Sequence, residues 1–381
     1  VDNHESETNF LMQADYIRPL SEKGKLEVGY KSNFRRVINN YLVEDFQDND
    51  WVSLDEFTND FIYKEVIHAG YFIMSNELNR VSYQFGLRTE FTDINTKLVN
   101  TQQVNDKSYI GFFPTSHFTY KLDEITTLQA SYSRRLRRPY FRSLNPFSNF
   151  SDVRNFRTGN PDLDPEYTNS FELGYLKNWE NSSFFTSAYY NNTSGVMTRV
   201  YLVDDNGITN AQYQNLARSN SYGLEFTANK DLFDWWKVNG SFNFYRSITD
   251  GQVAEQVLRA DNYTWTTRAN SKITIQKTID FQTNFSYRGP SESTQGTRKS
   301  YYTLDIGLSK DIFNNKGTII ASVQDVFNTS KYRYTNFGDT FYSDNVYQRR
   351  TTQYRLSLNY RINQKKGKEK NRSSSDGDGG F

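Results

Sequence analysis

The sequence predicts an all-β protein: an antiparallel transmembrane β-barrel with about 15 strands present. Three observations carry that prediction. Polar and apolar residues alternate at period two along most of the chain. The segments patterned this way are joined by connections that are alternately short and long. The chain is also polar on average yet crowded with large apolar groups, with a mean hydropathy of −0.80 beside 28 Tyr and 29 Phe in 381 residues. Disordered chains are poor in aromatics, so the two properties coexist only if they alternate, and a pleated strand separates them onto opposite faces.

The bulk composition excludes several function classes. Forty-five basic residues stand against 44 acidic ones, for a net charge of +1. That balance gives no global field for steering nucleic acid, and no nucleic-acid partner is expected. Cysteine is absent, and the three histidines His4, His68 and His117 lie far apart. Neither a metal site nor a cofactor is expected, and no nucleophile–base constellation for an enzyme can be assembled. No apolar run approaches the length of about 18 residues that a membrane-spanning helix requires. The sequence begins at Val1 with a polar, acidic stretch that is not a signal peptide, which suggests a mature form or a fragment.

The strands follow in order at roughly 7–18, 25–44, 59–76, 80–98, 107–121, 126–137, 166–178, 182–202, 215–230, 237–248, 262–275, 278–289, 300–312, 317–328 and 346–362. In RVSYQFGLRTEF, residues Val81, Tyr83, Phe85, Leu87 and Phe91 share one face, and Arg88 and Glu90 lie on the other. In SYGLEFTANK, Tyr222, Leu224 and Phe226 oppose Gly223, Glu225 and Thr227. The stretches IDFQTNFSYRG and TTQYRLSLNYRI alternate in the same way. A soluble sandwich also alternates. Charges that recur mid-strand on the same face favour a wet interior, with the apolar face turned to lipid.

Short connections such as PLSEKG, NELN, LDEIT and FNNKG alternate with long ones at 45–58, 138–165, 203–214 and 329–345. That is the plan of an outer-membrane barrel, with short turns and the C-terminus periplasmic and long loops extracellular. Trp179, Trp235 and Trp236 sit at short turns, where an aromatic girdle lies. The first connection is short, so strand one starts on the long-loop side. An odd strand count starting there predicts at least one further strand upstream. The domain reading is a barrel portion over 1–363 and a polar disordered tail over 364–381.

The stretch SRRLRRPYFRSLNPF, Ser133–Phe147, gathers five arginines. Counted at period two, Arg135 and Arg137 face the lumen. Arg134 and Arg138 share the lipid-facing parity at the outer end, within reach of lipopolysaccharide phosphates, and Arg142 lies in the loop. On the next strand Glu166 and Glu172 face inward, so Arg135 or Arg137 is expected to pair with one of them across the wall. Arg88, Glu90 and Glu225 complete the lumen-facing candidates, and His68 is assigned to the same face. Pro161 and Pro165 shape the descent from loop to strand. Asp162, Asp164 and Glu166 offer only oxygen ligands, too common a pattern to mark a metal site. Trp51, Tyr140, Phe141, Tyr334 and Phe341 are candidates for ligand contact from the loops.

The stretch GNPDLDPEYTNSFELGY, Gly159–Tyr175, resembles the N-P-x-L-x-P-E…E-x-G motif of TonB-dependent receptor barrels. Together with the preceding YSRRLRRPYFRSLNPF, it resembles the outer membrane protein β-barrel family common in Bacteroidetes. The matching positions are Arg134, Arg138, Pro139, Asn145, Pro146, Asn160, Pro161, Leu163, Pro165, Glu166 and Gly174. SYGLEF, SYRGP, SVQDVFN and the closing Phe381 add to the match, which spans essentially the whole chain. The resemblance implies a barrel of about 22 strands plugged by an N-terminal domain, of which these strands are the C-terminal part. It implies import of a bulky nutrient (a siderophore, oligosaccharide or peptide) with energy relayed by the TonB complex. The plug and the TonB-contacting segment are not in this sequence. The expected partners are outer-membrane lipid and lipopolysaccharide, the TonB complex through the missing N-terminal part, the barrel-assembly machinery and the nutrient. The alternative is a non-transporting outer-membrane adhesin, or an aromatic-rich β-sandwich that binds glycans.

Overall fold

In the computed structural model, residues 1–147, 155–203, 207–253, 256–314, 316–338 and 341–362 are described. In chain order the strands are β1 (Asp2–Pro19), β2 (Lys25–Leu42), β3 (Glu44–Gln47), β4 (Asp50–Ser53), β5 (Asn59–Leu78), β6 (Val81–Leu98), β7 (Val104–Lys121) and β8 (Thr126–Arg137). They continue with β9 (Asn155–Thr158), β10 (Glu166–Trp179), β11 (Ser182–Val203), β12 (Thr209–Phe233), β13 (Trp236–Val253), β14 (Gln256–Ile275) and β15 (Ile279–Arg288). The last are β16 (Ser291–Ser293), β17 (Gly296–Arg298), β18 (Tyr301–Ile312), β19 (Gly317–Gln324), β20 (Tyr332–Phe337), β21 (Tyr342–Tyr347) and β22 (Gln353–Tyr360). A single helical turn, α1, covers Phe141–Leu144. Among the described residues no helix is long and apolar enough to cross a membrane.

One antiparallel sheet runs in the order β1-β2-β5-β6-β7-β8-β10-β11-β12-β13-β14-β15-β18-β19-β22. Each strand therefore pairs with the next wall strand in sequence. This continuous wall replaces the two packed sheets of the sandwich alternative. Tight turns link the strands at one rim. At one of them Gln276 and Lys277 both take positive φ, 50° and 58°, and the Thr278 N–H donates to the Ile275 carbonyl at 3.2 Å. Paired positive φ values match the right-handed twist of the flanking strands.

The two faces differ as the alternation predicts. From the short-turn rim, one face is apolar for roughly ten residues, the length of a tilted membrane crossing. On β10 it carries Tyr175, Leu173 and Phe171 before Asn169; on β7 it carries Tyr120, Phe118, Phe112 and Ile110 before Ser108. These side chains are widely exposed, Leu173 at 67% and Ile110 at 60%. Phe233, Trp235 and Trp236 stack at the short-turn rim, the first two with ring centroids 5.2 Å apart.

Beyond that band the strands continue, and this differs from expectation. The segments expected as loops at 45–58, 203–214 and 329–345 are largely strand. Residues 44–53 form the β3–β4 hairpin, and β11 and β12 extend from Val203 back to Thr209. Tyr332–Phe337 and Tyr342–Tyr347 pair as β20 and β21, which join β16 and β17 in a separate four-stranded sheet. The strand expected from 346 therefore begins at Gln353, and the one expected to reach 328 ends at Gln324. The polar backbone of these projecting segments is satisfied by pairing within hairpins. The tail expected over 364–381 lies outside the described residues.

His68 is also corrected. It pairs in register with Phe91 and with Ser32. It therefore sits on the apolar face, where Tyr30 Oη and Ser32 Oγ contact its Nδ1 at 2.8 and 2.9 Å. The alternation of β5 is blurred because Phe61 and Tyr63 on the polar face are themselves apolar. They belong to the main core cluster, Val37, Phe61, Tyr63, Ile94, Leu98, Phe141, Leu144 and Leu163, which lies against the polar face rather than between two sheets.

Candidate functional site

That cluster marks where the described parts of the connection after β8, residues 138–147 and 155–165, dock onto the polar face. The segment starts at the arginine-rich end of β8. Arg137 lies opposite Glu166 in register, and its Nη2 donates to Glu166 Oε1 at 2.5 Å. Glu166 also accepts the Met197 N–H at 2.6 Å. Arg135 lies opposite Thr168 and Glu172 opposite Ser131, so neither makes a cross-strand ion pair with the other's strand.

Arg138 departs from the parity reading. Its strand ends at Arg137, so alternation no longer governs it. The side chain turns to the polar face, where its guanidinium donates to Glu90 and to Thr92 Oγ1 at 3.0 Å. Glu65 lies 3.9 Å from its Nε. Arg88 Nε reaches the other Glu90 oxygen at 2.6 Å, and Tyr63 Oη donates to Glu65 at 3.0 Å. Two half-buried arginines thus share two buried carboxylates. Removing one partner of such a cluster strands a charge in a poorly solvated place.

Phe141 and Leu144 insert into the core at 1% and 2% exposure. Phe141 was a candidate for ligand contact, but its burial withdraws it from any ligand. Its ring lies 4.7 Å from that of Tyr140 and 5.9 Å from the Arg35 guanidinium. Arg35 in turn pairs with Glu7 at 2.8 Å. Arg142 reaches Glu5 on β1 at 2.5 Å, and that hydrogen bond raises the guanidinium pKa above its ordinary value.

The return leg is held by backbone contacts. Gly159 N–H donates to the Asn145 carbonyl at 2.8 Å, and Asn160 N–H to that of Ser143 at 2.7 Å. The approach is close enough that a Cβ at Gly159 would lie 2.4 Å from the Asn145 oxygen. Residues 155–158 pair in parallel with β12. Asn160 Nδ2 donates to the Tyr213 carbonyl at 3.2 Å, and Asn160 Oδ1 accepts the Asp162 N–H at 2.9 Å. Lys107 Nζ donates to the carbonyls of Asp162 and Leu163, both at 2.8 Å, and pairs with Asp164 at 2.7 Å. Asn215 accepts the Asp164 N–H and donates back to its carbonyl. Leu163 is 1% exposed, and Pro139 and Pro165 are buried. Pro146 and Pro161 are half-buried. On β10, a Cβ at Gly174 would press on the Phe185 ring at 2.9 Å.

At the end of β8 Arg135 and Arg137 are exposed, as are Tyr140 and Arg142 on the docked segment. Arg88, Glu90, Glu172 and Glu225 share the polar face along the wall. The other loop aromatics are dispersed. Trp51 tops the β3–β4 hairpin, Phe341 packs toward Tyr201 at 6.1 Å, and Tyr334 is half-buried on β20. Sequence reasoning missed Lys107, Asn215, Glu65 and Arg35. Arg35 and Glu65 carried a usable signal, as mid-strand charges at polar-face parity, and Lys107 a weaker one at the start of its strand. Among the described residues no group of three or more His, Asp or Glu is arranged to hold a metal ion.

The architecture has counterparts among solved structures. The chain superposes on the copper transporter OprC with TM-score 0.69 at 13% identity, covering 94% of this chain and 59% of that one. For the FrpB iron transporter from Neisseria meningitidis (F3-3 variant), the values are 0.64, 13%, 94% and 55%. For the ferric yersiniabactin uptake receptor FyuA from Yersinia pestis, they are 0.63, 12%, 93% and 54%. The chain thus spans little more than half the length of each. At these identities the likeness is one of fold. No curated protein matches the sequence. The family profile described as "Outer membrane protein beta-barrel family" matches residues 1–360, and the chain belongs to that family.

Proposed function

We propose that the chain forms wall strands of an outer-membrane transporter of the TonB-dependent type, taking up a bulky nutrient. The observation that carries this reading is the split wall: a lipid-suited apolar band on one face, and on the other a polar surface holding a folded-in segment. The short turns and C-terminus would be periplasmic and the projecting hairpins extracellular. The polar face would line the lumen. Arg135, Arg137, Tyr140 and Arg142 would meet cargo entering from outside, because they are exposed groups at the end of β8 and the start of a segment fixed by its core. TonB would engage a plug outside these 381 residues. The solved relatives are named for copper, iron and ferric yersiniabactin; the cargo class here is an iron chelate, oligosaccharide or peptide. No enzymatic role is assigned.

Deleting the gene in its host and screening growth on defined iron, glycan and peptide sources tests the reading. Loss of use of one source, reproduced by deleting TonB, is the expected result. Unchanged uptake across the panel, with loss of surface adhesion instead, would favour the adhesin and overturn the transporter.

A further inference from the structure

Two arginines on the apolar face, Arg246 and Arg134, are held differently. Arg246 lies on this face, paired in register with Tyr222 and Tyr263. It is fully satisfied: its guanidinium forks onto Asp261 at 2.8 and 2.6 Å, donates to Tyr222 Oη at 2.9 Å and stacks 4.9 Å above Tyr263. A cation near lipid is tolerated when it is paired in this way.

Arg134 shares the face, in the row above Tyr132 and opposite Asn169. It stacks on Tyr167 at 5.2 Å. Among the described residues no carboxylate pairs with it, and its Nε is buried without a hydrogen-bond partner. Asn169, its register neighbour, instead accepts Tyr132 Oη at 3.0 Å through Oδ1. The wall is also interrupted here. The β7–β8 ladder stops at Thr115–Ser133, although β7 runs to Val104 and β8 to Arg137. The next position on β7 is Pro114, which has no N–H to give. Arg134 therefore sits at the edge of a break in the ladder, about where the apolar band ends.

We infer that Arg134, backed by the Tyr167 ring and flanked by Pro114, is an anchor for the phosphate of an outer-leaflet glycolipid. This rests on the outer-membrane reading above. A planar guanidinium matches phosphate oxygens two at a time, and stacking on an aromatic ring leaves its fork free to do so. At this height a lipid-borne phosphate can replace the carboxylate that Arg246 has and Arg134 lacks.

The test uses the full-length receptor extracted from outer membranes in mild detergent. Binding of a phosphorylated lipid A-type glycolipid, its enzymatically dephosphorylated form and inorganic phosphate is followed by native mass spectrometry. The wild type should prefer the phosphorylated lipid by about tenfold, the worth of one charge-assisted contact. Arg134→Gln should bind both lipids alike, and inorganic phosphate should not compete. Equal binding of both lipids by the wild type, or a preference kept by Arg134→Gln, would overturn the site. Competition by inorganic phosphate would make it a soluble-anion site and overturn the lipid assignment. Should Arg134→Gln fail to fold, Tyr167→Leu and the wild-type lipid comparison decide. Failure of the protein to fractionate with outer membranes would remove the membrane reading itself, whereas a membrane-inserted barrel without phosphate preference would remove only this inference.

Discussion

Arg138→Ala tests whether the docked segment is held by buried charge. Its side chain is 22% exposed, and its partners Glu90 and Glu65 are 10% and 7% exposed. Breaking a buried pair costs about 3–5 kcal/mol, mostly from the charge left behind. Here Glu90 keeps Arg88 and Glu65 keeps Tyr63, so we expect the lower end, about 3 kcal/mol, or more than a hundredfold in the folding equilibrium. Arg137→Ala is the internal comparison. Arg137 is 67% exposed, and Glu166 retains the Met197 N–H, so its loss should cost about 1 kcal/mol or less. Urea unfolding in lipid vesicles, read by heat-modifiable gel migration, gives both values. Adding Glu65→Gln to Arg138→Ala should restore part of the loss, because Arg138 supplies the ion pair of Glu65 and a neutral amide there can still accept from Tyr63. If Arg138→Ala costs no more than Arg137→Ala, or if the double variant is worse than the single, the reasoning is refuted.

Two further outcomes are expected. Leu173→Arg, on the exposed apolar face, should cost about 2–4 kcal/mol of insertion, while the adjacent Glu172→Arg on the polar face should cost little; equal folded yields in vesicles would contradict the assignment of faces. Leu163→Ala should open a cavity in the core cluster at a cost of about 2–5 kcal/mol and speed protease cleavage within 138–165; unchanged cleavage would show that the segment is not held by its core.

The wall was legible in the sequence because period two is local: each strand displays its own faces without reference to its neighbours. RVSYQFGLRTEF places Phe85 and Arg88 correctly with no knowledge of β5 or β7. Legibility failed where a partner distant in sequence decides. His68 was misplaced because Phe61 and Tyr63, which spoil the alternation of β5, are apolar in order to receive Phe141 from some eighty residues downstream. Arg138 was misplaced because the strand ends one residue earlier. Residues 346–347 read as the start of the last strand because the pairing of 342–347 with 332–337 is set by a hairpin remote from the wall. The candidate site was half visible. The Arg137–Glu166 pairing was among the alternatives that parity left open, whereas the burial of Phe141 belongs to the fold of a segment with no periodicity to read.

The docked segment also bears on how the wall forms over time. It touches β1 through Arg142–Glu5, a contact spanning 137 positions of sequence, and its core rests on β2, β5 and β6. None of these contacts can form until those strands stand beside β8 in register. Docking is therefore a late step, and contacts made late retard unfolding more than they hasten folding. Weakening the segment should leave the assembly rate of the barrel nearly unchanged and shorten its lifetime, so that its main contribution is to how long the finished wall persists.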